Sequence, residues 1–110
     1  MLNSKVENAL NAQINAELWS AYLYLSMEAY CHSEGLSGIA NWFHVQFQEE
    51  QDHAQILFNY VVSRGGRVKL EPIAEVPTEW PALIAVFEHT LNHEQHVTSL
   101  INNLYNIALE

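Results

Sequence analysis

Glu50 and His53, a glutamate and a histidine three residues apart, are the side chains of this sequence best suited to hold a metal ion. On a helix they lie one turn apart on the same side, where both can reach one ion. Two more glutamates, Glu17 and Glu94, stand near the middle of other predicted helices. A Glu-x-x-His pair alone is weak evidence, because most such pairs lie on surfaces. With two further glutamates it predicts a metal site inside a helical bundle.

Each of these glutamates interrupts an apolar stripe of helical spacing. The stripes, whose members recur at steps of three and four residues, are Val6, Leu10, Ile14, Glu17, Ala21 and Tyr24; Leu36, Ala40, Phe43, Phe47, Glu50, Ala54, Leu57 and Val61; and Leu83, Phe87, Leu91, Glu94, Thr98, Ile101, Tyr105 and Ala108. Residues spaced in this way share one helix face, which is expected to be buried. Because each glutamate is near the middle of its helix, we expect the carboxylates at one level of the bundle.

The free-energy cost of burying these carboxylates favours a bound cation. An uncompensated carboxylate costs several kcal/mol in an apolar interior, whereas a whole domain is stable by only about 5–15 kcal/mol. The four basic residues, Lys5, Arg64, Arg67 and Lys69, all lie outside the interior of the second and third predicted helices. Oxygen ligands with one imidazole suit Fe(II) or Mn(II) better than the thiolate sites of zinc.

Turn and cap signals divide the chain into three long helices of about 4–32, 37–64 and 81–110. Ser4 and Glu7 form a capping-box pattern, with Ser4 as the predicted N-cap of the first helix. Ser37 is the predicted N-cap of the second helix, and Pro81 is expected in the first turn of the third. The helices are therefore expected to form an all-α, up-down bundle within one domain, 1–110.

An extended crossover, 65–80, is predicted between the second and third helices. The pair Gly65-Gly66 supplies a left-handed C-cap, and Pro72 and Pro77 exclude helix. Roughly fourteen extended residues at up to ~3.3 Å each can return the chain to the other end of the bundle, so that the third helix runs parallel to the second. Near Glu110 there is no stop signal, and we expect the chain to be a fragment, an incomplete four-helix bundle.

Composition narrows the class of protein further. A chain of 110 residues, 49% of them hydrophobic, is enough for one folded domain and is not a disordered tail. No apolar run approaches the ~20 residues of a membrane span. The net charge of −9 argues against a nucleic-acid partner and is compatible with attracting cations. A single cysteine, Cys31, excludes an internal disulfide and fits a reducing, cytoplasmic setting.

Several further residues are interpreted separately from the metal site. A second apolar stripe on the first helix, formed by Leu18, Tyr22, Leu25 and Ala29, would be exposed on a single chain and indicates an oligomer. The histidines His32, His44, His89, His93 and His96 are interpreted as surface or intersubunit residues, with a secondary metal site as the alternative. Glu28 falls on the first stripe, and the sequence gives no explanation for it.

The motifs resemble those of the non-haem ferritins of bacteria and archaea. They lie in the runs Asn15-Ala16-Glu17-Leu18-Trp19, Gln48-Glu49-Glu50-Gln51-Asp52-His53-Ala54 and Asn92-His93-Glu94-Gln95-His96, together with Tyr24. The resemblance covers the whole chain, including the capped start and the crossover. It implies a ferroxidase subunit that binds two Fe(II) ions, oxidises them with O2 or peroxide, and passes Fe(III) to a mineral inside a hollow homo-oligomeric shell.

The resemblance also implies a role for each residue of the site. Glu17 and His53 would be terminal ligands of one iron, Glu50 would bridge the two irons, and Glu94 would hold the second. Glu49 would match a ligand of a third iron site found in some prokaryotic members. Tyr24 would lie beside the first iron as a hydrogen-bond partner and electron donor. For Glu49 and Tyr24 the alternatives are a solvated surface glutamate and a core tyrosine.

This sequence departs from the family pattern in one respect that matters for function. The family continues into a fourth long helix with further ligands for the second and third irons and a short fifth helix. No haem is expected, because Gln51 stands where the haem-binding relatives have a methionine. Two alternatives to the ferroxidase stay open: a truncated, catalytically impaired helical assembly module, which pairs with or exchanges helices with another copy, and another diiron-carboxylate oxidase on the same fold.

Overall fold

The computed structural model describes residues 2–109, which form three long helices and no strand. They are α1 (Ser4–Ser33), α2 (Ser37–Ser63) and α3 (Leu83–Leu109). A tight turn joins α1 to α2, and an extended crossover joins α2 to α3. The described part of the chain is an elongated bundle of 50 × 21 × 21 Å. None of its helices is long and apolar enough to cross a membrane.

The helix directions follow from which ends of the helices meet. The pairs that show this are Glu17 with His53 and Glu28 with His44 between α1 and α2, and Ser20 with His93 and Met27 with Thr90 between α1 and α3. In both sets one residue number falls as the other rises, so α1 is antiparallel to both partners. The third helix therefore runs parallel to α2, as the long crossover predicted.

The helix ends differ in detail from the predictions. Asn3 is the N-cap of α1, and its Oδ1 accepts a hydrogen bond from Lys5 N at 2.8 Å. The predicted N-cap Ser4 is wrong because it is already helical; an asparagine one residue earlier caps a helix as well as a serine does. The predicted N-cap Ser37 is also wrong, because it too is helical and Leu36 holds the cap position without a side-chain hydrogen bond from residues 2–109.

The third helix begins later than predicted. Pro81 lies two residues before α3 and not in its first turn, because the chain passes through a bend at residues 81–82 before the helix begins at Leu83. Gly65 has a φ of +76°, as predicted for a left-handed C-cap. At its far end α3 is helical through Leu109, and the expectation that it continues to Glu110 lies outside the described residues.

Two apolar clusters fill the bundle, one towards each end. Their buried members are Leu23, Tyr24, Met27, Tyr30, Cys31, Ala40, Phe43, Val76 and Val86 near the α1–α2 turn, and Leu10, Ile14 and Val61 near the opposite end. The buried polar residues are Gln13, Glu17, Ser20, Glu50, Thr90 and His93. Glu17 and Glu50 lie along their helices between the two clusters, so an acidic layer separates two hydrophobic cores.

The first two predicted stripes are buried or half-buried, but the prediction that the third stripe is buried is wrong. The buried residues of α3 are Val86, Thr90, His93 and Val97, one helix position away from the predicted stripe. From that stripe Leu91 and Tyr105 are 60% and 62% exposed. The reason is that, among the described residues, α3 packs closely against α1 only and reaches α2 through side chains alone. The predicted stripe therefore borders an open groove between α2 and α3.

Two asparagines of α1 hold the start of the crossover. Asn11 donates from Nδ2 to Arg67 O at 2.9 Å and accepts from Lys69 N at 2.7 Å. Asn15 repeats this pattern one turn later, with Lys69 O at 3.1 Å and Glu71 N at 2.9 Å. One step of four residues on a helix is about 6.0 Å, and two residues of extended chain are about 6.6 Å, so the two repeats match.

Candidate metal centre

Glu17 of α1 and Glu50 and His53 of α2 converge in the layer between the two apolar clusters. One ligand atom from each of these residues lies within 4.8 Å of the other two. The Nδ1 atom of His53 is 3.8 Å from Glu17 Oε2 and 3.7 Å from Glu50 Oε2. Antiparallel packing brings Glu17 opposite Glu50, and the three-residue step places His53 one turn further along α2.

The three side chains differ in their access to solvent. Glu17 is 3% exposed and Glu50 is 7% exposed, whereas the His53 side chain is 55% exposed. From residues 2–109, no hydrogen-bond partner reaches Glu17 Oε2 or Glu50 Oε2. Two buried oxygens without a donor are costly, and a cation held by both with the imidazole removes that cost. The donor set therefore fits a divalent metal ion, with His53 on the solvent side.

A glutamine that the sequence analysis missed holds the first of these carboxylates. Gln13 is buried one turn before Glu17, and its Nε2 donates to Glu17 Oε1 at 3.0 Å. That hydrogen bond engages Oε1 and leaves Oε2 facing Glu50 and His53. A glutamine four residues before a core glutamate is a signal that could have been read from the sequence, since helix neighbours at this spacing meet.

The environment of Glu50 favours the protonated form of its carboxyl group in the absence of metal. Burial is the largest cause, and the Glu17 carboxylate beside it is the next; together with Glu94 and Glu49 they raise the pKa of Glu50 from 4.5 to about 9. Two buried carboxylates this close are hard to ionise together. A metal ion therefore binds in exchange for a proton at neutral pH.

Glu94 lies outside this group of three and contacts Tyr24. The Tyr24 hydroxyl, in the buried core, donates a hydrogen bond to Glu94 Oε1. Burial and this hydrogen bond raise the pKa of Tyr24 well above its usual value of 10.0, so the side chain stays a phenol. Glu94 itself is exposed on the groove side of α3. The expectation that its helix face is buried is therefore wrong.

Glu49 precedes Glu50 on α2 and is exposed. Successive helix residues point about 100° apart, so Glu49 faces away from the direction of Glu50. Its charge contributes to the raised pKa of Glu50, but it lies outside the group of three. Its role as a ligand of a third iron stays a prediction.

His93 is buried, and the interpretation of this histidine as a surface or intersubunit residue is wrong. It is 7% exposed, and its Nε2 lies 2.8 Å from Ser20 Oγ. Its ring packs against Trp19 and Tyr24 with centroids 5.4 and 5.9 Å away. Burial lowers its pKa, which keeps the imidazole neutral. The error has the same origin as the shifted α3 stripe, because the true buried face runs through His93 and not through Glu94.

Comparison with known proteins agrees with this geometry. A family model described as a ferritin-like domain matches residues 7–110. The chain is 47% identical to a bacterial non-heme ferritin of Bacteroides fragilis over 108 residues, which cover 98% of this chain and 68% of that protein. It is 35% identical to a bacterial non-heme ferritin of Staphylococcus aureus, with 98% and 65% covered.

The solved structures that resemble this chain are also ferritins. An open pore ferritin from the hyperthermophilic archaeon Archaeoglobus fulgidus superimposes with a TM-score of 0.96 at 51% identity, covering 98% of this chain and 66% of that one. An engineered closed form of the same ferritin also gives a TM-score of 0.96, at 50% identity. All-α architecture and an acidic centre inside a bundle define a ferritin-like class, and this chain belongs to the ferritin family. It spans about two thirds of the length of these relatives.

Proposed function

We propose that this chain is a ferritin subunit that oxidises Fe(II) to Fe(III) and stores it as a ferric mineral. The observation that carries the proposal is the pair of buried, donor-free oxygens, Glu17 Oε2 and Glu50 Oε2, each less than 4 Å from His53 Nδ1. Family membership supports iron as the metal. In this proposal Fe(II) is the substrate, and these three residues hold the first ion.

The second ion is proposed on the other side of Glu50. Glu50 bridges the two ions, and Glu94 holds the second one. The Tyr24 hydrogen bond supports this assignment because it points Glu94 towards the centre despite its exposed position. A bridging carboxylate keeps two cations close while cancelling part of their charge. Tyr24 is proposed as an electron donor, and Glu49 as a ligand of a third iron.

The residues around the ions differ in their proposed roles as an Fe(II) ion enters the centre. His53 is open to solvent and lies on the proposed entry side, while the buried glutamates replace the water of the incoming ion. Glu50 gives up its proton as the first ion binds. We further propose that the oxidant is O2 or peroxide, that copies of the chain form a homo-oligomer such as a shell, and that the protein is cytoplasmic.

Anaerobic titration with Fe(II) followed by O2 tests this function. Rapid oxidation that saturates near two irons per chain, measured as ferric absorbance, is the expected result. The double variant Glu50→Ala, His53→Ala is expected to show only slow background oxidation. The exposed-histidine variant His96→Asn, on α3 and outside the group of three, is the matched control and should oxidise Fe(II) like the parent. Equal rates in the parent and the double variant would favour the impaired assembly module.

An apolar cavity favours one competing function, a diiron-carboxylate oxidase that acts on an organic molecule. This space of about 290 Å³ opens beside Glu17 and His53 and is otherwise lined by Gln13, Ile56, Leu57, Ile101 and Leu104. In a ferroxidase, O2 is consumed in proportion to the Fe(II) added. Oxygen consumption that continues after the iron is exhausted, and only with a small apolar compound present, would support the competing function.

A further inference from the structure

A second group of metal-ligating side chains joins α1 to α2 near the turn between them. Glu28 and His32 lie one turn apart on α1, and His44 faces them from α2. Glu28 Oε2 is 3.3 Å from His32 Nε2, and Glu28 Oε1 is 2.9 Å from His44 Nδ1. We call these three residues the seam cluster. It explains the glutamate that the sequence analysis left without a role.

Among residues 2–109, the side chains that contact the Glu28 carboxylate in the seam cluster are two imidazoles. The Glu28 side chain is only 17% exposed. Lys5 lies in the first turn of α1, about 34 Å along the helix from Glu28 at 1.5 Å per residue. The other cationic residues, Arg64, Arg67 and Lys69, follow the end of α2, which packs beside the start of α1. The partners of this carboxylate are thus two histidines that carry a charge only when protonated.

The distances at Glu28 suit a metal ion held between the three side chains. In a tetrahedral site with bonds of about 2.0–2.1 Å, neighbouring ligand atoms are roughly 3.3 Å apart. The two histidines lie 3.3 and 2.9 Å from Glu28, each at a different oxygen of its carboxylate. As placed in the structure, one ligand atom from each of the three residues does not come within 4.8 Å of the other two, so the side chains must move closer together to share one ion.

Movement of the exposed rings can bring the ligand atoms together. The side chains of His32 and His44 are 56% and 41% exposed, so they can rotate without opening the core. Exposed side chains change rotamer on the picosecond-to-nanosecond timescale. Two imidazoles with one carboxylate are ligands of the borderline class that binds divalent transition metals. Solvent can complete the coordination.

We propose that Glu28, His32 and His44 form a second cation site, specific for divalent transition metals of the zinc and ferrous class. It lies at the α1–α2 seam, apart from Glu17, Glu50 and His53.

Titration of the full chain with Co(II) tests the seam cluster through visible absorption bands typical of four-coordinate cobalt. The background is the double variant Glu50→Ala, His53→Ala, so that failure of the proposed ferroxidase site does not affect the outcome. One Co(II) per chain is expected in this background. Adding Glu28→Gln or His44→Asn is expected to weaken binding about tenfold or more, since even outer partners of metal sites contribute about 10–100-fold.

Two further variants make the result decisive. His32→Asn alters the most exposed member of the seam cluster, so it should keep the helical content measured by circular dichroism while losing Co(II) affinity. His96→Asn, an exposed histidine on α3, is the matched control and should bind like the background. Unchanged Co(II) affinity in both His32→Asn and His44→Asn would overturn the proposal and leave the seam cluster as a hydrogen-bonded link between two helices.

Discussion

At the scale of single residues, the acid–base behaviour of the metal-free chain follows from two oxygens, Glu17 Oε2 and Glu50 Oε2. Both are buried, and residues 2–109 offer them no hydrogen bond. The pKa of Glu50, raised from 4.5 to about 9, means that the folded state holds this proton more tightly than the unfolded chain. Its contribution to stability is therefore complete below pH 4.5 and is lost as the pH rises towards about 9.

The variant Glu50→Gln tests this dependence on pH. We expect the metal-free variant to be more stable than the parent by on the order of 2 kcal/mol at about pH 8, because Glu50 must take up a proton on folding at that pH whereas the amide is neutral in both states. The difference should shrink at about pH 5, because that pH is close to the pKa of 4.5 in the unfolded chain, where little proton uptake is needed. Urea unfolding in the presence of a chelator measures both values. An equal difference at the two pH values would contradict the raised pKa.

Gln13 offers a second prediction at this scale. Gln13→Met keeps the length and helix propensity of the side chain but removes the donor to Glu17 Oε1. Since Glu17 is then free to rotate, we expect the affinity of the metal centre for Zn(II) to fall by about 10–100-fold. Isothermal titration calorimetry measures this. Gln95→Met, at an exposed site on α3, is the control that should leave the affinity unchanged.

At the scale of the helices, the crossover depends on side chains of α1 more than on its own sequence. Asn15 makes two hydrogen bonds to the crossover backbone, at Lys69 O and Glu71 N. We expect Asn15→Ala to lower the free energy of unfolding by about 1–2 kcal/mol and to speed proteolysis within 67–71. Asn8→Ala, at an exposed position of the same helix, should change neither. Unchanged proteolysis in Asn15→Ala would show that the asparagines do not hold the crossover.

The helices also show which features the sequence could predict. The buried faces of α1 and α2 can be predicted from the spacing of their apolar residues. Each of these helices has a close neighbour on that face, so the apolar residues are also the buried ones. The third helix, α3, has two faces that carry apolar residues, the predicted one through Glu94 and the one that is actually buried. The buried face contains two polar residues, Thr90 and His93, so it looks less apolar in the sequence. Periodicity reports that a face is apolar but not which neighbour it meets. The position of His93 and the exposure of Glu94 could therefore not be predicted without the packing of α3 on α1.

The residues of the metal centre could also be predicted only in part from the sequence. Glu17 and Glu50 are predicted from their positions in two stripes and His53 from its three-residue spacing to Glu50, and the structure brings the three together. Gln13 was missed because a polar residue beside a stripe looks like an ordinary surface residue until its partner is known. Tyr24 was placed on the correct face, but its hydrogen bond to Glu94 depends on the relative rotation of two helices, which no local pattern contains.

At the scale of the whole molecule, a second face of α1 bears on assembly. Tyr22 and Leu25 are 47% and 38% exposed on the stripe that the sequence associated with an oligomer. We expect the chain to sediment as a species larger than its 12.6 kDa mass. The double variant Tyr22→Glu, Leu25→Glu should shift it towards the monomer without loss of helical content. Asn8→Glu adds a charge elsewhere on α1 and is the control.

Analytical ultracentrifugation at several concentrations separates the outcomes. A parent chain that sediments as a monomer throughout would contradict the assembly prediction. A double variant that keeps the size of the parent would instead locate the contact on another surface, such as the open groove between α2 and α3, where Leu91 and Tyr105 are exposed.

The division of the interior into two apolar clusters with an acidic layer between them has a consequence for motion. Without metal, the buried oxygens that lack hydrogen-bond partners among residues 2–109 make the layer the weakest level of the bundle, so the two ends can open separately. A bound ion links α1 to α2 at that level and couples the ends. Amide hydrogens of the helix turns around Glu17 and Glu50 should then exchange through local opening in the metal-free chain and only through global unfolding in the loaded one. The ion would thus act as a removable cross-link that sets how cooperatively the chain unfolds.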